Sequence, residues 1–303
     1  MKVWLLETRP QFLILSVILA FLGAAMAWYD SIRGVWTSHA QFQVGFAVLA
    51  GVGLVLAHAA VNVLNDWFDY RSGIDLATKR TPFSGGSGML PAKALTPKQV
   101  FWLGMGALIA IIPIGVYFTI TRGWLLLPLL LVAAICILAY SPIILKTKAP
   151  EWAAGLGLGT LPVLGAYFVQ SSQYNWPAVL ASVPSGFLVY NLLLLNEFPD
   201  VEADRIGHRQ TLPITLGRPK AGRVYSAVTL AVYAWIVVMV AVQLMPVYCL
   251  IALATLPFAI RAIRGASNPE DMSKLGPAMQ NNVLVVLVTQ LLMGLGYVLA
   301  TVT

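Results

Sequence analysis

Charged side chains are confined almost entirely to the intervals between long apolar runs in this chain. Nine such runs can be read, at 11–29, 42–64, 99–121, 124–145, 152–169, 176–195, 224–242, 247–263 and 283–302. A bilayer core about 30 Å thick takes roughly 20 helical residues, which is the scale of these runs. Lipid offers no partner to a backbone N–H or C=O, so helices that bond internally are expected. The alternating ten-residue segments of a membrane barrel are absent from the sequence. The eighth run is the weakest, because its clean apolar core ends at Ile260 and Arg261 must reach outward along its stem. Pro113, Pro128, Pro162, Pro184 and Pro257 lie within runs and predict kinks. Lys2, the first run and Ala25-Met26-Ala27 also read as a leader peptide with a cleavage site. Glu7 and Arg9 spoil that pattern, and eight later runs need no leader, so the first run is expected to stay as a helix. The pattern therefore predicts an all-α integral membrane protein, with nine transmembrane helices in a single domain over 1–303.

Composition narrows the class further. Of the 303 residues, 10% are charged and 59% hydrophobic, where a soluble domain carries about 25% charged residues. An ordinary soluble enzyme, a disordered chain and a secreted disulfide scaffold are excluded. Cys136 and Cys249 both sit inside apolar runs and read as small core residues. A net charge of +7 would suit nucleic acid in a soluble protein. Here it is the sign of basic cytoplasmic loops, so the expected partner is the lipid bilayer and no nucleic acid. With the N-terminus in the cytoplasm, only Arg33 and Arg122 of the 19 Lys and Arg residues fall outside. That distribution supports an odd number of spans, with the C-terminus outside. Trp28, Trp36, Trp124, Trp152 and Trp176 stand at run ends, as an interfacial aromatic belt would. Among the 12 Asp and Glu residues only Asp30 falls outside. The positive-inside rule concerns Lys and Arg, so the cytoplasmic face needs its carboxylates for another reason.

Two long intervals, 65–98 and 196–223, hold most of them, and connections of that length are usually functional. The first opens Asn65-Asp66-Trp67-Phe68-Asp69 and the second Asn196-Glu197-Phe198-Pro199-Asp200. Asn65 aligns with Asn196, Asp66 with Glu197 and Asp69 with Asp200, each copy at the end of an apolar helix and four helices apart. This pattern predicts an internal repeat, helices one to four echoed by five to eight, plus a ninth helix. Repeats in membrane proteins often place a site at their interface. Asp66 and Asp69 share a helix face, as do Asp200 and Asp204. Two such clusters facing each other repel unless cations sit between them. Carboxylate and amide oxygens suit Mg2+, which completes its sphere with water and phosphate oxygens. Arg71, Lys79 and Arg80 follow the first motif, and Arg205 and Arg209 the second. Acid for metal beside base for phosphate is the composition of a diphosphate site. Solvated loop charges would account for one acidic pair, but two matched copies at membrane boundaries favour function.

On these residues the chain resembles the UbiA family of intramembrane aromatic prenyltransferases, over its whole length. The resemblance implies nine helices, aspartate-rich motifs after helices two and six, two Mg2+ ions, a polyprenyl diphosphate donor and an aromatic acceptor. Asn65-Asp66-x-x-Asp69 is similar to the family's first motif and Asp200-x-x-x-Asp204 to its second. Asn65, Asp66, Asp69, Asp200 and Asp204 are thereby implied as metal ligands, the four aspartates as catalytic. Glu197 and Pro199 depart from the second motif. Asp75 stands six residues after Asp69, and Pro82-Phe83-Ser84-Gly85-Gly86-Ser87-Gly88 follows. Both features resemble the branch that prenylates 1,4-dihydroxy-2-naphthoate in menaquinone synthesis; the alternative is another acceptor within the family, namely 4-hydroxybenzoate, homogentisate, haem, chlorophyllide or a glycerol-phosphate lipid.

The supporting residues carry paired readings. Arg9-Pro10 opens the first helix, where the family often has Arg-Pro, and a positive-inside anchor explains it equally well. His58, Asn62, Asn65 and Asp69 form one polar stripe on the second helix. Asn62 extends the metal or diphosphate site, whereas His58 either touches the acceptor or is a hydrogen-bonded core histidine. Tyr190 and Asn191 lie one to two turns below Asn196. Tyr140 precedes Lys146 and Lys148, where the family often has a tyrosine and a base near the diphosphate. An interfacial tyrosine and topology lysines are the alternative. Arg71, Lys79, Arg80, Lys146 and Arg209 are thus the candidate diphosphate binders. Arg9, His58, Asn62, Asp75, Tyr140, Tyr190, Asn191 and Asn196 are the candidate substrate pocket. The glycine-rich run at 84–88 lacks the lysine of a P-loop and reads as a lid. Gly155, Gly157 and Gly159 read as close helix contacts, not a dinucleotide fingerprint. A transporter is the rival class, but its polar sites lie at the bilayer midplane, whereas these acids lie at its edge.

Overall fold

The structure, a computed structural model, describes residues 2–36, 41–78, 80–81 and 83–303. Among them every regular element is helical. In chain order these are α1 (Lys2–Glu7), α2 (Pro10–Ile32), α3 (Val44–Ser72), α4 (Ile74–Ala77), α5 (Pro97–Arg122) and α6 (Leu126–Leu138). Next come α7 (Glu151–Gly155), a π-helical turn (Leu156–Thr160), α8 (Leu161–Ser171), α9 (Trp176–Ile206) and α10 (Leu212–Thr215). The chain ends with α11 (Arg218–Ala241), a 3-10 helix (Val247–Thr255), α12 (Leu256–Ala266) and α13 (Met272–Val302).

Among the described residues, eight stretches of 20 to 31 residues are long and apolar enough to cross a bilayer. They are α2, α3, α5, α7–α8, α9, α11, the 3-10 helix with α12, and α13. The fourth of the nine expected spans departs from the sequence reading. Its helix, α6, has 13 residues and reaches only about 20 Å at 1.5 Å per residue. Pro142 disfavours helical geometry at Ser141, and the chain turns there before a 3-10 turn at Ile144–Lys146. The turn is apolar in sequence because it is buried, with Ile144 and Leu145 both in the interior.

The first run forms α2 and packs into the bundle. Leu19 and Leu22 of α2 are wholly buried, and α2 packs on α3, α8 and α13. Pro113 and Pro184 lie inside α5 and α9, whereas Pro162 and Pro257 stand where the helix changes type, from the π turn to α8 and from the 3-10 helix to α12. Gly155 and Gly159 set α7 and the π turn directly against Ser185 and Gly186 of α9, and Gly157 sits on Cys136. These are the close contacts their spacing suggested. At the end opposite the acidic motifs, Asp30 is paired: Tyr167 donates to it at 2.6 Å and Asn175 at 2.9 Å.

What positions the site is helix length. α3 has 29 residues and α9 has 31, several more than the roughly 20 that span the apolar layer. Their surplus turns carry the two acidic motifs.

Candidate active site

The surplus turns of α3 and α9 close one end of a cavity of about 880 Å3. Its walls are apolar, with Leu108, Ile111, Leu130, Leu158, Leu192 and Leu287 among them. Asn65, Asp69, Asp75, Asn196, Glu197, Asp200, Asp204 and Arg209 line its polar end.

Arg209 joins the two motifs. It donates to Asp204 at 2.8 Å and pairs with Asp69 on the other helix. Burial works against its charge, but Asp69 and Asp204 outweigh that and hold its pKa above the ordinary arginine value. Asn65 turns its amide nitrogen to Asp69 at 2.9 Å, and its oxygen accepts the Ser141 hydroxyl at 3.0 Å. Asn65, expected as a metal ligand, thus orients Asp69 through its amide nitrogen, while the oxygen it would offer a cation accepts one hydrogen bond, from Ser141. The turn after α6 is what delivers Ser141, along with Tyr140. Burial first, and Glu197 second, push the Tyr140 phenol well above its ordinary range.

Asp66 lies under the glycine-rich loop. The Ser87 backbone N–H donates to Asp66 Oδ2 at 2.6 Å. Gly86 has φ +69°, and a Cβ there would stand 3.2 Å from oxygens of both Asp66 and Asp75. Only glycine meets both conditions. The expected lid is thus seated over the first motif. Asp75, at the start of α4, is pushed up to about 8, first by burial and then by Asp66 and Asp69.

Other candidates fall differently. Arg80 donates to the carbonyls of Gly85 and Gly86 at 3.1 and 2.9 Å, so it shapes the loop and does not line the cavity. Arg71 is exposed and lies over the Trp67 ring at 4.9 Å. Lys146 is exposed on its 3-10 turn. Neither reaches the cavity wall. Lys79, like Pro82, lies outside the described residues. Asn191 faces away: its amide donates to Tyr225 O and to Thr229 Oγ1, at 3.0 and 2.8 Å. It ties α9 to α11. Tyr190 packs beside Gly155, also off the cavity. Arg9, His58, Asn62, Tyr140 and Asn196 do line it. His58 is buried and hydrogen-bonded to Ser16 at 3.0 Å. Arg9 has a left-handed φ of 56°, in a turn that Asn62 holds by donating to Thr8 O at 3.1 Å.

The sequence reading gave no site role to Ser16, Ser141 and Glu151, and placed Ser87 only within the expected lid. Glu151 accepts the Leu212 N–H at 2.6 Å and acts electrostatically on Glu197. A carboxylate at the start of a membrane helix was its available signal. Serines carry none.

The donor chemistry fits a hard divalent cation. Asp66 Oδ1, Asn196 Oδ1, Asp200 Oδ1 and both oxygens of Glu197 are buried without a hydrogen-bond partner. Among the described residues no three acidic, His or Cys side chains already converge on one point. The Arg209 guanidinium holds Asp69 and Asp204 meanwhile.

With this geometry in hand, comparison with known proteins defines the class. The model of the UbiA prenyltransferase family matches residues 16–283. The chain belongs to that family, and is a multi-pass membrane prenyltransferase. It is similar to a 1,4-dihydroxy-2-naphthoate octaprenyltransferase of Bacillus subtilis (strain 168), 25% identical, covering 90% of this chain and 85% of the relative. In fold it resembles the apo structure of a UbiA homolog from Aeropyrum pernix K1, with a TM-score of 0.67, 17% identity and coverage of 95% and 98%. It also resembles a UbiA homolog from Archaeoglobus fulgidus bound to GPP and Mg2+, with a TM-score of 0.59, 13% identity and coverage of 96% and 99%.

Proposed function

We propose that this prenyltransferase moves a polyprenyl group from its diphosphate to 1,4-dihydroxy-2-naphthoate, with Mg2+ held between the two acidic motifs at the cytoplasmic face. The observation that carries the reading is the shared end of the cavity. Two acidic motifs far apart in sequence meet there over an apolar chamber, with carboxylate oxygens left unpartnered. The Bacillus relative supports the acceptor, as do Asp75 and the loop at 84–88. The Lys and Arg distribution supports a cytoplasmic N-terminus and an external C-terminus.

Asp66, Asp69, Asp200 and Asp204 would hold the metal, with Asn196 and Glu197 as further oxygen donors. When bound, Mg2+ supplies charge stabilisation to the departing diphosphate. Arg209 adds a fixed positive charge at the same place. The apolar walls exclude water, which would otherwise capture the allylic cation as the C–O bond breaks. The isoprenoid tail lies along those walls. Arg9 and His58 stand on the cavity side of the first motif and would orient the acceptor, so that its electron-rich ring carbon faces the allylic carbon. As the new C–C bond forms, the ring carboxylate would leave as CO2 and its bonding pair would restore the aromatic ring.

Membranes containing the protein, radiolabelled polyprenyl diphosphate and a panel of aromatic acceptors test this directly. Label is expected in the naphthoate product, with EDTA abolishing it. Asp69→Asn and Asp200→Asn should each cut turnover about 100- to 1000-fold, in the range of lost electrostatic stabilisation. Incorporation into a different acceptor would overturn the naphthoate assignment. Near-normal turnover in either variant would overturn the metal assignment.

A further inference from the structure

We propose that Glu7 is a positioning residue for Asp66, acting through Ser87 of the glycine-rich loop; this rests on the reading of Asp66 as a cation ligand. Glu7 closes α1 and is wholly buried. Its Oε2 accepts the Ser87 hydroxyl at 2.6 Å. The Ser87 Oγ in turn accepts the Met89 N–H at 3.2 Å. A hydroxyl has one proton to give, and this one goes to Glu7. The backbone N–H of the same serine donates to Asp66 Oδ2 at 2.6 Å. One side chain thus fixes the residue that engages one oxygen of Asp66, and Oδ1 is left without a partner. That free oxygen is the one available to a cation.

The surroundings support a positioning role. Gly85, Gly86 and Gly88 take φ values of +89°, +69° and +74°, which let the loop pass close over Asp66. Arg80 braces it through the Gly85 and Gly86 carbonyls. The residue after Glu7 is itself tied to α3, where Asn62 donates to Thr8 O at 3.1 Å. The other face of α1, with Trp4, Leu5 and Leu6, is exposed. Among the described ion pairs none includes Glu7, and its Oε1 has no hydrogen-bond partner. Burying a carboxylate so is costly, and the hydrogen bond it does make leads to Asp66.

The test uses full-length protein in detergent without substrate. It reads Mn2+ binding by electron paramagnetic resonance, and amide exchange at 84–88 by mass spectrometry. Glu7→Ala and Ser87→Ala should each weaken Mn2+ binding about tenfold and speed loop exchange, as loss of a charge-assisted hydrogen bond would. The double variant should bind no more weakly than either single one. Glu7→Gln and Ser87→Thr, which keep acceptor and hydroxyl, should bind within about threefold of the wild type. Should Glu7→Ala not fold, Ser87→Ala decides alone, since it removes only a hydroxyl. Unchanged Mn2+ binding in Asp66→Asn overturns the ligand reading, and the proposal with it. Binding that depends on Asp66 but is normal in Ser87→Ala, or effects of the two alanine variants that add, overturns the positioning role alone.

Discussion

Replacing Arg209 with alanine separates its two parts, counter-ion and site residue. Its guanidinium neutralises Asp204 at 2.8 Å and also Asp69, with side-chain exposures of 13%, 2% and 11% in the order Arg209, Asp204 and Asp69. At about 4 Å between charge centres and an effective dielectric of about 20, each pair is worth about 4 kcal/mol before desolvation. Removing one partner of a buried pair costs about 3–5 kcal/mol, because the remaining charge is left uncompensated. Here two carboxylates are left facing each other. For a chain of this size each kcal/mol moves the melting temperature by about 2–4 °C, so Arg209→Ala should melt roughly 10 °C lower in EDTA. A divalent cation between the motifs neutralises the same carboxylates, so millimolar Mg2+ should recover most of that loss. The assay is thermal aggregation of detergent-purified protein, with EDTA and with Mg2+. A variant that melts like the wild type in EDTA, or a loss that Mg2+ leaves untouched, would refute the counter-ion reasoning.

Three further outcomes are expected. Asp75 titrates near 8 when folded, against an ordinary value of 3.8. The folded protein therefore keeps a proton that the unfolded chain has lost across that window, and metal-free stability should fall as pH rises through it. Melting in EDTA at pH 5 and pH 8 should show a smaller difference for Asp75→Asn, and an identical slope would sink the assignment. Gly86→Ala forces a Cβ to within 3.2 Å of Asp66 and Asp75 oxygens at φ +69°, a backbone strain of about 1–3 kcal/mol. It should lower turnover and raise the Mg2+ concentration required while the protein still folds; normal Mg2+ dependence would count against the seated loop. Asp30→Ala strips the acceptor from Tyr167 and Asn175 and should cost about 1–3 kcal/mol of stability. It should leave turnover unchanged, and a turnover defect at equal folded protein would tie that end to the chemistry.

How much of this the sequence carried follows from what sets each feature. The apolar runs and the two motifs were legible because the bilayer imposes both, one by excluding charge and the other by making buried acid expensive. The shortness of α6 was not, because its terminating turn is apolar and buried, and in composition it looks like more helix. On α3 the polar stripe was read correctly. His58 precedes Asn65 by seven residues, which returns it to within about 20° of the same face. On α9 the same reasoning used depth and neglected phase. Asn191 precedes Asn196 by five residues and Tyr190 by six, about 140° and 120° away around the helix. Both side chains therefore leave the cavity, Asn191 toward α11 and Tyr190 toward α7. The basic residues failed for a related reason. Their position after the acidic motifs said that a positive charge was near, and nothing said which way it pointed. Arg209 turned inward and Arg71 lay on Trp67.

The placement of unsatisfied acid ties stability to function. Among the described residues, every buried carboxylate oxygen without a partner belongs to Glu7, Asp66, Glu151, Glu197 or Asp200. All five lie at the motif end, while Asp30, at the far end, accepts hydrogen bonds from both Tyr167 and Asn175 on Oδ2. A fold selected only for stability would pair such groups or replace them with apolar ones, since leaving a buried acceptor unmet costs about 1–3 kcal/mol. The cost is concentrated where the cation and the diphosphate are proposed to bind, so binding there relieves strain as well as making contacts. Ligand that binds only the folded state stabilises it by mass action. On the proposed function these same oxygens would supply the affinity for the cation, and Arg209 is the protein's own positive charge beside Asp69 and Asp204.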